Sequence, residues 1–133
     1  MNIIEKIKAL NFPDGEYVVI GSCIMDVLEI RKAKDIDIAI TSFLHNKLRQ
    51  EGEWNEVERY GLIFLQKDVF EITPRLDWEK YKTTTKEAIL TSTIIDGIPF
   101  MNLDELCKFK SALGREKDLI DIKLIKKYQD NLK

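Results

Sequence analysis

Two aspartates one residue apart, Asp35 and Asp37, stand inside the apolar run "DIDIAI" at residues 35–40. Side chains alternate along a strand, so the two carboxylates are expected to point the same way while Ile36 and Ile38 face the core. Held about 7 Å apart or closer on a rigid strand, they repel each other, and a divalent cation beside them removes that repulsion. An oxygen-only ligand set suits Mg²⁺ or Mn²⁺, with waters and substrate phosphates completing the shell. Upstream, Gly21-Ser22 closes a second apolar run, "YVVIG". A glycine where a strand turns into a helix lets a ligand come close to the backbone. The N–H groups at a helix start favour an anion such as phosphate. The Ser22 hydroxyl can donate to a phosphate oxygen or cap the helix, and both readings stand. Twelve residues separate Ser22 from Asp35. That is one helix and a return into a neighbouring strand, which brings the phosphate cradle and the carboxylates to the same end of a sheet.

The pattern Ile20-Gly21-Ser22, twelve residues, Asp35-Ile36-Asp37-Ile38 resembles the signature of the DNA polymerase β-like nucleotidyltransferase superfamily. That signature is an apolar residue, Gly-[Gly/Ser], nine to thirteen residues, then Asp-apolar-[Asp/Glu]-apolar. The resemblance implies a minimal nucleotidyltransferase fold that moves an NMP from an NTP, ATP included, to a hydroxyl, amine or phosphate acceptor, releasing pyrophosphate. In it Asp35 and Asp37 hold two Mg²⁺ ions, and Gly21 and Ser22 grip the β- and γ-phosphates. It also requires a third carboxylate on a later strand. Glu71, in "VFEIT", is the first candidate for that metal ligand and acceptor base. Its plain alternative is a solvent-facing residue on a half-exposed strand. Asp68, at the polar start of the strand, ranks behind it, and Asp77, after Pro74 in an expected loop, ranks third.

The tail "MNLDELCKFKSALGREKDLIDIKLI" is similar to the C-terminal segment of small bacterial nucleotidyltransferases, the abortive-infection type of toxin among them. The shared features are a helix with a lysine, a Gly-Arg near its end, and Lys-Asp-apolar-x-Asp opening the next helix. Lys110, Gly114, Arg115, Lys117, Asp118 and Asp121 match. "RKAKDID" resembles the same group's Arg-x-Thr-x-Asp-x-Asp, with Arg31 matching and Ala33 in place of the threonine. Arg31 and Lys110 are therefore secondary nucleotide-phosphate contacts. Each has an ordinary alternative: for Arg31, with Lys32 and Lys34, a solvated turn, and for Lys110 an ion pair with Asp118 or Asp121. The resemblance runs from about Tyr17 to Tyr128 and is weak between residues 42 and 100. Among other conspicuous residues, Trp54 and Trp78 are expected to pack at sheet edges rather than stack on a base. The lone His45, on an expected exposed helix, is given no role.

The elements that must position these groups follow from periodicity. Ile3, Ile4, Ile7 and Leu10 recur at helical spacing behind an Asn2 cap. "EYVVIG" and "DIDIAI" read as strands, and Ser22 opens a helix to about Ile30. Ser42 opens another to about Gln50, ended by Gly52. "NEVERYG", "LIFLQKD" and "VFEITPRL" are strand-like. "KEAIL" reads as a helix, and Asp96-Gly97 as a hairpin turn. A helix capped by an Asn102–Glu105 box ends at Gly114. A last helix puts Leu119, Ile122, Leu124 and Ile125 inward. The expected architecture is α/β (α+β), one domain spanning residues 1–133, with a small mixed sheet and flanking helices.

The 133 residues suffice for one hydrophobic core, and 44 % hydrophobic with 33 % charged residues is ordinary for a globular chain. A net charge of −2 provides no global basic field for non-specific nucleic-acid binding. Cys23 and Cys107 lie in apolar segments and read as buried, reduced thiols. No run reaches the roughly 18 apolar residues of a membrane span, and "MNIIEKIKAL" lacks a signal peptide's apolar region, so a cytoplasmic location is expected. So small a domain has little room for an acceptor site of its own, which points to a protein, tRNA or small-molecule acceptor docking from outside. Two other functions use the same residues. One is a non-catalytic module that keeps the fold, such as an antitoxin or a regulatory partner protein. The other is a metal-dependent phosphatase or nuclease, which leaves Gly21-Ser22 without a purpose.

Overall fold

Tyr17, Val18, Val19 and Ile20 offer nothing to solvent, and the chain buries all four as strand β1 (Tyr17–Ile20), as a strand covered on both faces requires. The computed structural model describes residues 1–77 and 80–132. Around β1 the order is α1 (Ile3–Leu10) before it, then α2 (Cys23–Val27), β2 (Ile36–Ile40), α3 (Ser42–Glu51), β3 (Asn55–Arg59), β4 (Leu62–Lys67) and β5 (Phe70–Thr73). The chain continues through α4 (Thr85–Leu90), β6 (Thr93–Ile95), β7 (Ile98–Phe100), α5 (Leu103–Leu113) and α6 (Glu116–Asn131). Trp78 lies outside the described residues.

The strands make one mixed sheet in the order β3-β4-β5-β2-β1-β7-β6. β1 runs antiparallel to β2, which is parallel to β5, and β7 is parallel to β1. Two hairpins, β3–β4 and β6–β7, form the edges. The second turns at Asp96-Gly97 with φ of 51° and 79°, the left-handed pair a two-residue turn needs between twisted strands. α2 and α4 pack on β1 and α1 on β7. The fold class is thus the expected one, a mixed sheet flanked by helices. Val18, Ile36, Ile38, Ala39, Ile40, Leu65, Ile72 and Phe100 are fully buried at its centre. Cys23 and Cys107 are both free and buried. Among the described residues, no helix is long and apolar enough to cross a membrane.

Register matters most for the site. β1 and β2 pair Ile20 with Asp37, and β2 and β5 pair Asp37 with Glu71. Residues paired across neighbouring strands stand on the same face, so Glu71 sits directly beside Asp37 in the sheet. Asp35 precedes the first residue of β2.

Three local expectations change. The helix begun at Ser22 ends at Val27 rather than Ile30. There Glu29 adopts a φ of 63°, and the amides of Ile30 and Arg31 turn back to the Met25 carbonyl at 2.7 and 3.4 Å. The Asp26 carboxylate accepts from the Ala33 amide at 2.8 Å, a tertiary tether that helix propensity does not encode. α3 opens at Ser42 as expected, and Thr41 caps it, its hydroxyl accepting from the Leu44 amide at 3.3 Å and donating to the Glu16 carboxylate. Asn102 caps α5 through the Glu105 amide at 2.8 Å. The Glu105 carboxylate, however, accepts from the Tyr81 hydroxyl at 3.2 Å. Finally, the inner stripe of α6 is Asp118, Asp121 and Ile125, all buried, while Leu119 is 50 % exposed. Ile125 is buried and Ile122 and Leu124 are half-buried against the core as expected, and of the four residues read inward Leu119 turns outward because the buried face carries two carboxylates.

Candidate functional site

Gly21 has a φ of 70°, and a Cβ built on it would lie 2.9 Å from Asp37 Oδ2. The position requires glycine twice over, for its left-handed backbone and for the close approach of a carboxylate. At no other glycine would a Cβ meet an atom closer than 3.0 Å. The turn thus rests on Asp37 and points Ser22 into a cavity of about 420 Å³. Asp35 and Asp37 line one part of it, and Arg31, Lys34, Lys110 and Lys117 line others.

Ser22 occupies the N-cap position of α2 but makes no capping bond. Its Oγ accepts instead from the Arg31 guanidinium at 2.6 Å and from Lys110 Nζ at 3.5 Å. α2 has five residues, so its dipole is small. The electropositive character around Ser22 comes from side-chain cations more than from the helix start that the sequence suggested.

Those cations belong to a buried network. Asp121 accepts two bonds from Arg31, at 2.6 and 2.7 Å. Lys110 Nζ lies 2.9 Å from Asp121 and 3.7 Å from Asp118, and Arg115 holds Asp118 at 2.7 Å. Lys110, Asp118 and Asp121 are 6 %, 0 % and 3 % exposed. Burial opposes the charge of both aspartates, yet Arg31 and Lys110 hold Asp121 below the usual carboxylate range, and Arg115 and Lys110 do the same for Asp118. The ion pair foreseen for Lys110 therefore forms with both partners, while the lysine still faces the cavity. Arg31 is not a solvated turn residue: it ties the 28–35 loop to α6. Lys32 and Lys34 remain exposed.

Asp37 has the opposite environment. Burial, then the charges of Glu71 and Asp35, push its carboxyl up to about 6, against the pull of Lys110 and Lys117. Cys23, packed beneath, donates its thiol to the Asp35 carbonyl at 3.3 Å. Burial and the nearby Asp37 push that thiol up to about 12, so it stays protonated. Glu71 shares Asp37's row but accepts from Arg59 at 2.9 Å and does not line the cavity. Asp68 sits in the β4–β5 turn, paired with Lys6 at 3.0 Å, and Asp77 is paired with Arg75 at 2.8 Å. Neither lines the cavity.

As positioned, no group of three or more His, Cys, Asp or Glu among the described residues can hold a metal ion. The donor chemistry nonetheless fits a hard divalent cation. Asp35 and Asp37 offer oxygen alone at one cavity, and a cation would offset the burial, first, and the like charges, second, that raise the Asp37 carboxyl.

Of the remaining conspicuous residues, Trp54 is 9 % exposed and packs between Phe12 and Phe70. Lys67 lies over its ring at 4.8 Å. His45 is half-buried rather than exposed, its Nε2 2.8 Å from the Ile63 carbonyl. Two positions escaped sequence reasoning. Asp26, which tethers the loop carrying Arg31, gives no local signal. Arg59, which holds Glu71, lies on β3, twelve residues away. Compared with protein-family models, curated proteins and solved structures, the chain matches none.

Proposed function

We propose that this protein is a metal-dependent nucleotidyltransferase that moves an NMP from an NTP to an acceptor and releases pyrophosphate. One observation carries the reading: the Gly21-Ser22 turn lies against Asp37 and opens into the same cavity as Asp35, Arg31 and Lys110. A phosphate cradle and a carboxylate pair within one cavity suit the α-phosphorus of an NTP.

Asp35, Asp37 and Glu71 would hold Mg²⁺ or Mn²⁺, which supplies charge neutralisation at the transferred phosphoryl group. The Gly21-Ser22 turn would present the Ser22 hydroxyl to the β- and γ-phosphates, with Asp37 Oδ2 filling the space beside Gly21 itself. Arg31 and Lys110 neutralise their charge. The acceptor oxygen or nitrogen attacks the α-phosphorus, the bond to the β-phosphate bridging oxygen breaks, and pyrophosphate leaves. Glu71, released from Arg59, takes the acceptor's proton. The acceptor is a protein, a tRNA or a small molecule that docks at the cavity mouth.

A binding module without catalysis is the second reading. It is favoured by the Arg59 contact of Glu71 and by the neutralisation of Arg31 and Lys110 by Asp121 and Asp118. Incubation of the protein with each α-³²P-labelled NTP, Mg²⁺ and whole-cell lysate separates the two. Label in the protein, RNA or small-molecule fraction, lost in Asp37→Asn, supports transfer. NTP binding with label in none of them supports the module. Inorganic phosphate as product in place of pyrophosphate points to a phosphatase or nuclease.

A further inference from the structure

Helix α5 carries an apolar wall that the proposed phosphate chemistry leaves unused. Phe109 and Leu113, both half-buried, line the cavity with Lys110 between them, and the fully buried Leu106 backs the same helix face, the three- and four-residue spacing of one face. The rest of the lining is strongly charged, with six cationic and four acidic side chains. Such a lining suits a polyanion but offers no reason for half-buried aromatic and aliphatic groups beside it. The Phe109 ring is also held in place. Tyr81 packs behind it with ring centroids 5.5 Å apart and is anchored in turn through its hydroxyl to Glu105 at 3.2 Å.

We propose that the Phe109–Leu113 wall, backed by the buried Leu106, seats the nucleobase of the bound NTP, an inference that rests on the nucleotidyltransferase reading. The base is the one part of an NTP that is uncharged and planar, and so gains from leaving water against apolar side chains. A wall of this kind offers a stacking face and no directional hydrogen bonds. It recognises a base as a flat apolar surface and discriminates weakly among the four. The wall lies on the helix that supplies Lys110, so one rigid element presents both the phosphate contact and the base contact.

The test measures binding in Mg²⁺ of ATP, GTP, CTP, UTP and inorganic tripolyphosphate to the parent, Phe109→Ala and Leu113→Gln, with melting curves as the fold control. The expected result is that all four NTPs bind within about tenfold of one another and about tenfold or more tighter than tripolyphosphate. Each substitution weakens NTP binding by about tenfold and leaves tripolyphosphate unchanged. Phe109 packs on Tyr81, so if Phe109→Ala fails to fold, Leu113→Gln decides alone. NTP binding unaltered in folded variants overturns the base wall while leaving the nucleotidyltransferase reading intact, as does a hundredfold preference for one base. Failure of both NTPs and tripolyphosphate to bind the parent overturns that reading and the wall with it.

Discussion

Replacing Asp37 by asparagine should stabilise the metal-free protein. The Asp37 carboxyl is raised from an ordinary 3.8 to about 6, by burial first and then by Glu71 and Asp35. A carboxyl raised on folding binds its proton more tightly in the folded state, so stability falls as pH rises between those two values. The difference is about 2 pH units, and each unit corresponds to about 1.4 kcal/mol. Ionised Asp37 therefore destabilises the fold by up to about 3 kcal/mol at pH 7. Asparagine keeps the shape and removes the charge. At pH 7 the variant should gain up to about 3 kcal/mol, a rise of several degrees in Tm for a chain of this size. Below about pH 4 the gain should vanish, because Asp37 is then protonated in both states. The assay is urea unfolding of parent and variant in EDTA at pH 4, 5, 6 and 7, read as the difference between them so that other titrating groups cancel. Repeating it with Mg²⁺ and an NTP adds a second signature. A ligand at a hundred times its Kd stabilises the parent by about 2.7 kcal/mol, and Asp37→Asn should lose most of that. If the variant is less stable than the parent at pH 7, or the difference is independent of pH, the aspartates are ordinary paired surface charges and the electrostatic argument fails.

The remaining predictions concern neighbours of that carboxylate. Asp121→Ala leaves Lys110 short of its nearest anion in a buried setting and should lower stability by about 3 kcal/mol. Because the Asp121 carboxyl is depressed rather than raised, its contribution is present above the unfolded value and lost as pH falls through the folded one. The Asp121→Ala deficit should therefore shrink in acid, where the Asp37→Asn gain also fades, and urea unfolding across pH 2 to 7 reads both. Gly21→Ala adds a Cβ 2.9 Å from Asp37 Oδ2 at a φ of 70° and should cost about 2 kcal/mol or more. In an Asp37→Ala background, where the clashing oxygen is gone, the cost should fall to the backbone strain of about 1 kcal/mol, and equal costs in both backgrounds refute the contact. Glu71→Gln should abolish label transfer while melting within about 1 kcal/mol of the parent, whereas Asp68→Asn and Asp77→Asn should retain it. A dead Asp68→Asn with a live Glu71→Gln would mean that the strand pairing of β2 with β5 is misread.

Much of the frame was legible because it depends on short-range physics. The run Tyr17–Ile20 is apolar throughout and became a strand buried on both faces. Asp96-Gly97 has the residues a tight hairpin turn demands, and Asn2 and Asn102 lie where helices need a side-chain acceptor. The spacing from Gly21-Ser22 to Asp35 and Asp37 allowed for one helix and a return strand, and that is how the two segments meet. Alternation along "FEIT" likewise indicated Glu71, but only the parallel pairing of β5 with β2 put it opposite Asp37. What sequence could not contain were contacts between distant segments. Arg31 lies ninety residues from Asp121 and 2.6 Å from it in space, and that contact turns an apparent surface loop into a cavity wall. Leu119 was read inward because apolar periodicity assumes that a buried face is apolar, whereas α6 buries two carboxylates satisfied by Lys110, Arg31 and Arg115. Whether Ser22 caps its helix or faces Arg31 and Lys110 depended on where α5 and the 28–35 loop came to rest. The residue types determined which charges the chain would have to accommodate, and the tertiary structure decided which of them found partners. It left Asp37, pressed against Gly21 and flanked by Asp35 and Glu71, where burial and like charge outweigh the pull of Lys110 and Lys117.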